Sequence, residues 1–322
     1  MAMHDDITDI PGIRVGHVTN LEAGTGCTVV LCDTPAIGGV DVRGGAPATR
    51  ETDLLRPMHL IENVNAVLLA GGSAFGLDAA SGVMRYLEER NIGHDTFVAR
   101  VPIVPAAAIF DLAFGAASIR PDASYGYRAC ELASTGPVAQ GNVGAGTGAT
   151  CNKTRGPMFA LKGGLGSAST QLPDGTLVGA IVVVNAFGDV INPETQQPFG
   201  SAGQLPQSPQ SAQDIPPANP SGNTTIAVVA TNASLSKDAV NKMAQMAQNG
   251  LAQAIRPAHT MFDGDTAFAL ALGQQPQTPL DAAGLALQTS LIGAAAASTL
   301  ARAIVKAILN ATPLHGVPAA TS

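Results

Sequence analysis

The sequence predicts an α/β protein, on two observations. Glycine and proline punctuation separates short β-branched runs from alanine-rich stretches of helical period across the 322 residues. Three of the short runs (28–31, 66–70 and 180–184) are continuously apolar, as strands covered on both faces must be. Between them, residues 75–90 read as a helix. Leu77, Ala80, Met84 and Leu87 recur at spacings of three and four, a helix start at Ser73 is compatible with that run, and Asn91 with Gly93 ends it.

The segment 192–223 has another character. It carries seven prolines and six glutamines in 32 residues, with Phe199 its only aromatic side chain, so it reads as an exposed, mobile connector. A structureless stretch this long inside a compact domain is usually functional or a linker. Thr224–Thr231 follows at once, a β-branched run and the strongest strand signal in the chain. Ser236 then caps a helix with Val240, Met243, Ala247 and Leu251 on one face. The apolar tail 291–309 has the length of a membrane span. Arg302 and Lys306, four apart on one face, make it an amphipathic or buried helix instead.

Composition narrows the function. Only 13% of residues are charged, about half the usual ~25%, which favours a homo-oligomer with some apolar surface hidden between copies. With 17 basic and 24 acidic residues, and no basic cluster or Trp, the footprint of a nucleic-acid binder is missing. Cys27, Cys32, Cys130 and Cys151 form neither a CxxC pair nor a zinc spacing and read as buried reduced thiols. The polar, acidic start Met1-Ala2-Met3-His4-Asp5-Asp6 is unlike a signal peptide, so the expected location is the cytoplasm, with no membrane association.

Common catalytic motifs fail. The glycine-rich stretch 141–148 does not fit GxGxxG, Lys153-Thr154 lacks the Gly-Lys step of a phosphate loop, and Phe75 breaks a GxSxG elbow after Ser73. The histidines form no HExxH pair. What remains is Gly222-Asn223-Thr224-Thr225. A threonine hydroxyl becomes a useful nucleophile when it is the first residue of a chain, because a free α-amine (pKa ~7.7–8.0) lies within reach of its own Oγ. Such a terminus arises if the hydroxyl first attacks the Asn223 carbonyl. The same residues also read as a glycosylation acceptor or as an ordinary turn before a strand. Asp263-Gly264-Asp265, after His259, offers two acids at i and i+2, close enough to raise one another's pKa, or else a solvated turn.

In their joint order these segments resemble the DmpA-type aminopeptidase family, which includes β-peptidyl aminopeptidases and 6-aminohexanoate-oligomer (nylon-oligomer) hydrolases. The likeness runs through Ile10-Pro11-Gly12-Ile13-Arg14-Val15-Gly16-His17, Val42-Arg43-Gly44-Gly45, residues 69–77, Gly144-Ala145-Gly146 and Gly222-Asn223-Thr224-Thr225. It continues in Pro257, His259 and Asp263-Gly264-Asp265-Thr266. The resemblance implies a single hydrolase domain over 1–322, a four-layer αββα sandwich of the N-terminal-nucleophile-hydrolase type shared with ornithine acetyltransferase. It also implies self-cleavage into an α chain, 1–223, and a β chain, 224–322, assembled as a homo-oligomer, a tetramer by likeness.

On that likeness Thr224 is the nucleophile, Asn185 stabilises the oxyanion, and Lys153 is a cation beside the nucleophile. Asp263 and Asp265 match an acidic pair of the nylon-oligomer branch, where the β-aminopeptidases resemble Ser-x-Glu. They would orient the amine and bind a cationic substrate end. Phe110 stands where some members carry a tyrosine. The expected substrates are small peptides or amino-terminated amides, with no metal or organic cofactor. An uncleaved binding protein and an acyltransferase on the same scaffold are the alternatives.

Overall fold

A computed structural model of the protein describes residues 3–200, 222–275 and 279–320. Nine strands form the main sheet: β1 (Ile13–Asn20), β2 (Thr25–Val42), β3 (Thr49–Arg50), β4 (Asn63–Ala70), β5 (Ala106–Ala108), β6 (Gly164–Gln171), β7 (Leu177–Asn185), β8 (Thr224–Thr231) and β9 (Thr266–Ala271). Among the described residues four α-helices accompany them: α1 (Ala79–Glu88), α2 (Ala123–Glu131), α3 (Lys237–Ala254) and α4 (Ala282–Leu309). Strand order is β6-β7-β8-β9-β2-β4-β5-β3, with β1 also paired to β2.

The sheet doubles over through β2. The first half of β2 pairs with β1 and β4, and its second half pairs with β9. Register with β4 breaks between Leu31 and Ala36, where Asp33, Thr34 and Pro35 are exposed. Proline has no N–H to give a ladder, so it suits this crossing. Three buried cores result. Val30, Val67 and Leu69 meet Ile181, Val228 and Phe268 between the two halves. Val29, Leu31 and Leu68 face Val83 and Leu87 of α1. On the far side Val182 and Val229 face Val240 and Met243 of α3 and Leu300 and Ile304 of α4. The layers are therefore αββα, and β8 is buried throughout because one face meets the opposite sheet and the other meets helices.

Ser236 caps α3 through Ala239 N–H (3.3 Å), and the expected face of Val240, Met243, Ala247 and Leu251 is fully buried. The helix expected over 75–90 opens instead as a 3-10 turn, Ser73–Asp78, and Ser73 makes no side-chain cap. Its backbone is left-handed (φ 55°), which does not suit an N-cap. The tail helix α4 is long and apolar enough to cross a membrane, but 67% of its apolar window is buried inside the protein. Arg302 and Lys306 do share a face, and both reach Asp5 (2.7 and 3.0 Å). All four cysteines are free and buried.

The expected connector begins later than its composition suggests. Ile191 bridges Pro198, Phe199 donates to Val190 O at 2.9 Å, and Asn152 donates to Phe199 O at 2.8 Å. Phe199 packs on the helix-side core, so one aromatic side chain is enough to fasten 192–200. The rest of the connector, 201–221, lies outside the described residues.

Candidate active site

The site is built where β7 ends and β8 begins. The antiparallel register of these strands sets Asn185 opposite Thr224. On the other side of β8, parallel pairing with β9 starts only at Ile226 and Thr266, so the N-terminal end of β8 is held by other groups. Asp265 Oδ1 accepts the Thr225 N–H at 2.8 Å, and Asn223 bridges Asp263. The Asn223 carbonyl accepts from Gly264 N–H at 3.0 Å and from the hydroxyl of Thr224. Gly264 must be glycine here, because a Cβ would lie 2.8 Å from both Thr224 Oγ1 and Ala46 O. Gly222, at φ 110°, lies under the ring of Phe110. Thr224 is buried.

Asn185 is the hub. Its Nδ2 donates to Phe110 O and Gly222 O, each at 3.1 Å. Its Oδ1 accepts from Thr150 N at 3.0 Å and from Lys153 Nζ at 3.3 Å. Burial pushes Lys153 down to about 8, against the pull of Cys151 and Asp263, which favour its charge. The donors of Asn185 are thus fixed by a cation and a backbone amide behind them, which holds its N–H pair on the carbonyls of Phe110 and Gly222.

Asp263 and Asp265 are buried, at 1% and 2% exposure, so they are not a solvated turn. Burial, and then the neighbouring Asp265, raises Asp263 above the usual carboxylate range. Every oxygen of the pair accepts from a protein donor. Asp263 takes Phe187 N–H at 3.1 Å and both donors of Thr260; Asp265 takes Thr225 N–H and, at 2.9 Å each, the amide and Nδ1 of His259. Among the described residues no group of three or more His, Cys, Asp or Glu is arranged to hold a metal ion.

The five residues singled out in the sequence therefore meet around one peptide bond. Thr150, Thr260 and the Gly264 amide join them and have no signal in composition. Lys162 is a further supporting group. It is fully buried, and its Nζ donates to the carbonyls of Ala149 (2.6 Å), Gly163 (3.1 Å) and Gly146 (3.2 Å). That locks the loop carrying Thr150, and with it Asn185. The glycine-rich stretch 141–148 is a turn against a strand, exchanging backbone bonds between Gly141 and Leu165 of β6.

Lys162→Met is expected to lower stability at neutral pH by about 2–4 kcal/mol, since three hydrogen bonds from one buried group are lost. Burial pushes Lys162 from 10.5 to about 7. Between about 7 and 10.5 the unfolded chain binds the extra proton, so this group makes stability rise with pH in that window. The gap between wild type and variant should widen accordingly, as thermal melts across that range would measure.

Comparison with known proteins agrees with this architecture. Two solved structures share it: a beta-aminopeptidase of Burkholderia sp. (TM-score 0.72, 24% identity, covering 99% of this chain and 91% of that one) and the L-aminopeptidase D-Ala-esterase/amidase of Ochrobactrum anthropi (TM-score 0.72, 19% identity, 96% and 86%), described as a variant of the Ntn hydrolase fold. The fold is thus of the Ntn-hydrolase class. Residues 5–322 match peptidase family S58. An uncharacterised aminopeptidase of Mycobacterium tuberculosis is 47% identical over 98% of this chain and 96% of its own. A 6-aminohexanoate-oligomer endohydrolase of Paenarthrobacter ureafaciens is 30% identical over 93% and 84%. The chain belongs to peptidase family S58.

Proposed function

We propose that this protein is a self-processing aminopeptidase that cuts its own chain between Asn223 and Thr224 and then hydrolyses small peptides or amino-terminated amides with Thr224. The observation that carries this reading is the Asn223 carbonyl, on which the Thr224 hydroxyl and the Gly264 N–H converge. In the first step Thr224 Oγ attacks the Asn223 carbonyl carbon. The C–N bond breaks, the nitrogen keeps the proton given up by the hydroxyl, and an ester joins Asn223 to Thr224. Water hydrolyses that ester, leaving a carboxylate on Asn223 and a free amine on Thr224.

Departure of Gly222 and Asn223 then uncovers the hydroxyl and removes one acceptor from Asn185 Nδ2. A substrate carbonyl entering the vacated space meets that N–H. The new amine takes the hydroxyl proton, Oγ attacks, and the same proton leaves on the departing amine. Water releases the acid from the acyl-enzyme. A 6-aminohexanoate amide is a specific candidate substrate, given 30% identity over 93% of this chain to a hydrolase of such oligomers. Cytoplasmic action as a homo-oligomer completes the proposal.

Terminal sequencing by mass spectrometry tests it. Mature active protein should contain a piece beginning at Thr224; an active preparation with the 223–224 bond intact would overturn the reading. The pH profile gives a second check. As the ammonium form, Lys153 polarises Asn185, so activity should fall as pH rises through about 8, opposite in sense to the new amine, which must be neutral to act. Lys153→Met should lose the alkaline fall and keep the acid limb, as initial rates between pH 6 and 10 would record.

A further inference from the structure

His259 and Thr260 lie next to one another and treat the two buried acids alike. His259 gives its backbone N–H and its ring Nδ1 to Asp265 Oδ2, both at 2.9 Å. Thr260 gives its backbone N–H, at 3.2 Å, and its hydroxyl to Asp263 Oδ2. The remaining oxygens point to strand ends. Asp265 Oδ1 holds the N–H of Thr225, directly after the nucleophile. Asp263 Oδ1 holds the N–H of Phe187, two residues past Asn185. Each acid therefore links one half of the clasp to one half of the reacting pair.

The turn that carries the two donors is itself pinned. Gly45 N–H donates to Thr260 O, Arg43 and Gly44 donate to Asp265 O, and Ala46 donates to Asp263 O. His259 adopts a left-handed backbone (φ 59°), uncommon for a residue with a Cβ and held there by its two bonds to one carboxylate oxygen. A carboxylate with one oxygen fixed by two donors presents its other oxygen in one direction only. Nucleophilic attack is sensitive to small displacements, so the separation of Thr224 and Asn185 depends on that direction.

We infer that His259 and Thr260 are positioning residues that set the nucleophile and the oxyanion donor in register through Asp265 and Asp263. This rests on the self-cleavage reading and deepens it. It also reassigns the two acids: with every oxygen accepting from the protein, they act as struts between loop and strand ends and not as a receptor for a substrate cation.

The test follows freshly translated full-length precursor to its cut form by mass spectrometry. Two pairs are compared with wild type. His259→Leu removes the ring donor, whereas His259→Asn keeps a side-chain N–H and tolerates the left-handed backbone. Thr260→Val removes the hydroxyl at nearly constant shape, whereas Thr260→Ser keeps it. Self-cleavage should slow at least about tenfold in the Leu and Val variants and stay within about threefold in the Asn and Ser variants, with near-UV circular dichroism unchanged. Rescue by the donor-keeping residue is the part a general packing defect would not produce.

Folded His259→Leu and Thr260→Val chains that cut at the wild-type rate would overturn the clasp alone. So would Asn and Ser variants as slow as Leu and Val. If His259→Leu does not fold, the Thr260 pair decides by the same criterion. A wild-type chain that stays intact overturns the self-cleavage reading itself, and the clasp with it.

Discussion

Thr224→Ala should accumulate as one uncut chain with no measurable hydrolysis, a loss of at least ~10³-fold by comparison with nucleophile deletions elsewhere. The Thr224 hydroxyl bonds the Asn223 carbonyl from the side chain that would carry the ester, and all four cysteines are buried. The substitution leaves the rest of β8 and its ladders to β7 and β9 untouched, so the variant should fold. Thr224→Ser keeps the hydroxyl and should still mature. Intact-mass analysis and a rate assay on the same preparation read both outcomes; an alanine variant cut at the same bond would remove Thr224 from the mechanism.

Asn185→Leu is expected to separate the two reactions. On the proposed mechanism the Asn185 amide would supply an external substrate with the N–H that meets the developing oxyanion, and losing one such donor costs about 10²–10³ in kcat. In the precursor, however, Asn185 Nδ2 donates to Gly222 O and Phe110 O, while the Asn223 carbonyl takes its backbone donor from Gly264. Self-cleavage should therefore survive, slowed, when hydrolysis has collapsed. Measured after maturation, kcat should fall with KM changed only a few-fold, because the missing contact forms chiefly in the transition state. A variant that matures and hydrolyses at wild-type kcat would show that Asn185 is not the donor.

Several of these features are legible in the chain and others are not, for physical reasons. Thr224–Thr231 reads as a strand because it is a run of mostly β-branched side chains, which suit a strand buried on both faces. The Ser236 cap and the Arg302–Lys306 face follow from local spacing alone. The nine residues of α2 escape such reading: the helix is short, rests on its Asp122 cap, and exposes much of its surface. The two β layers are not written locally either, since they depend on a crossing at 33–35 inside one continuous strand. Thr224 and Asn185 can be named from likeness to a family, but their meeting is a matter of register between strands separated by a long connector. Lys162 is the hardest case. A lone lysine between Leu161 and Gly163 gives no hint that it is fully buried with its charge satisfied, because its three partners are main-chain carbonyls.

The strand order has one more consequence. A break ahead of β8 would leave it wedged beside β9 between β7 and β2, two strands that precede the break. The piece bearing the new terminus would thus lie inside the other like a tongue in a groove, gripped by an edge on each flank, with α3 and α4 roofing strands from both. Parting the two would mean unzipping both seams at once and baring the buried layers beneath. Such a nick would release a short stretch of backbone at the sheet's end, yet the halves would stay joined as if still one chain.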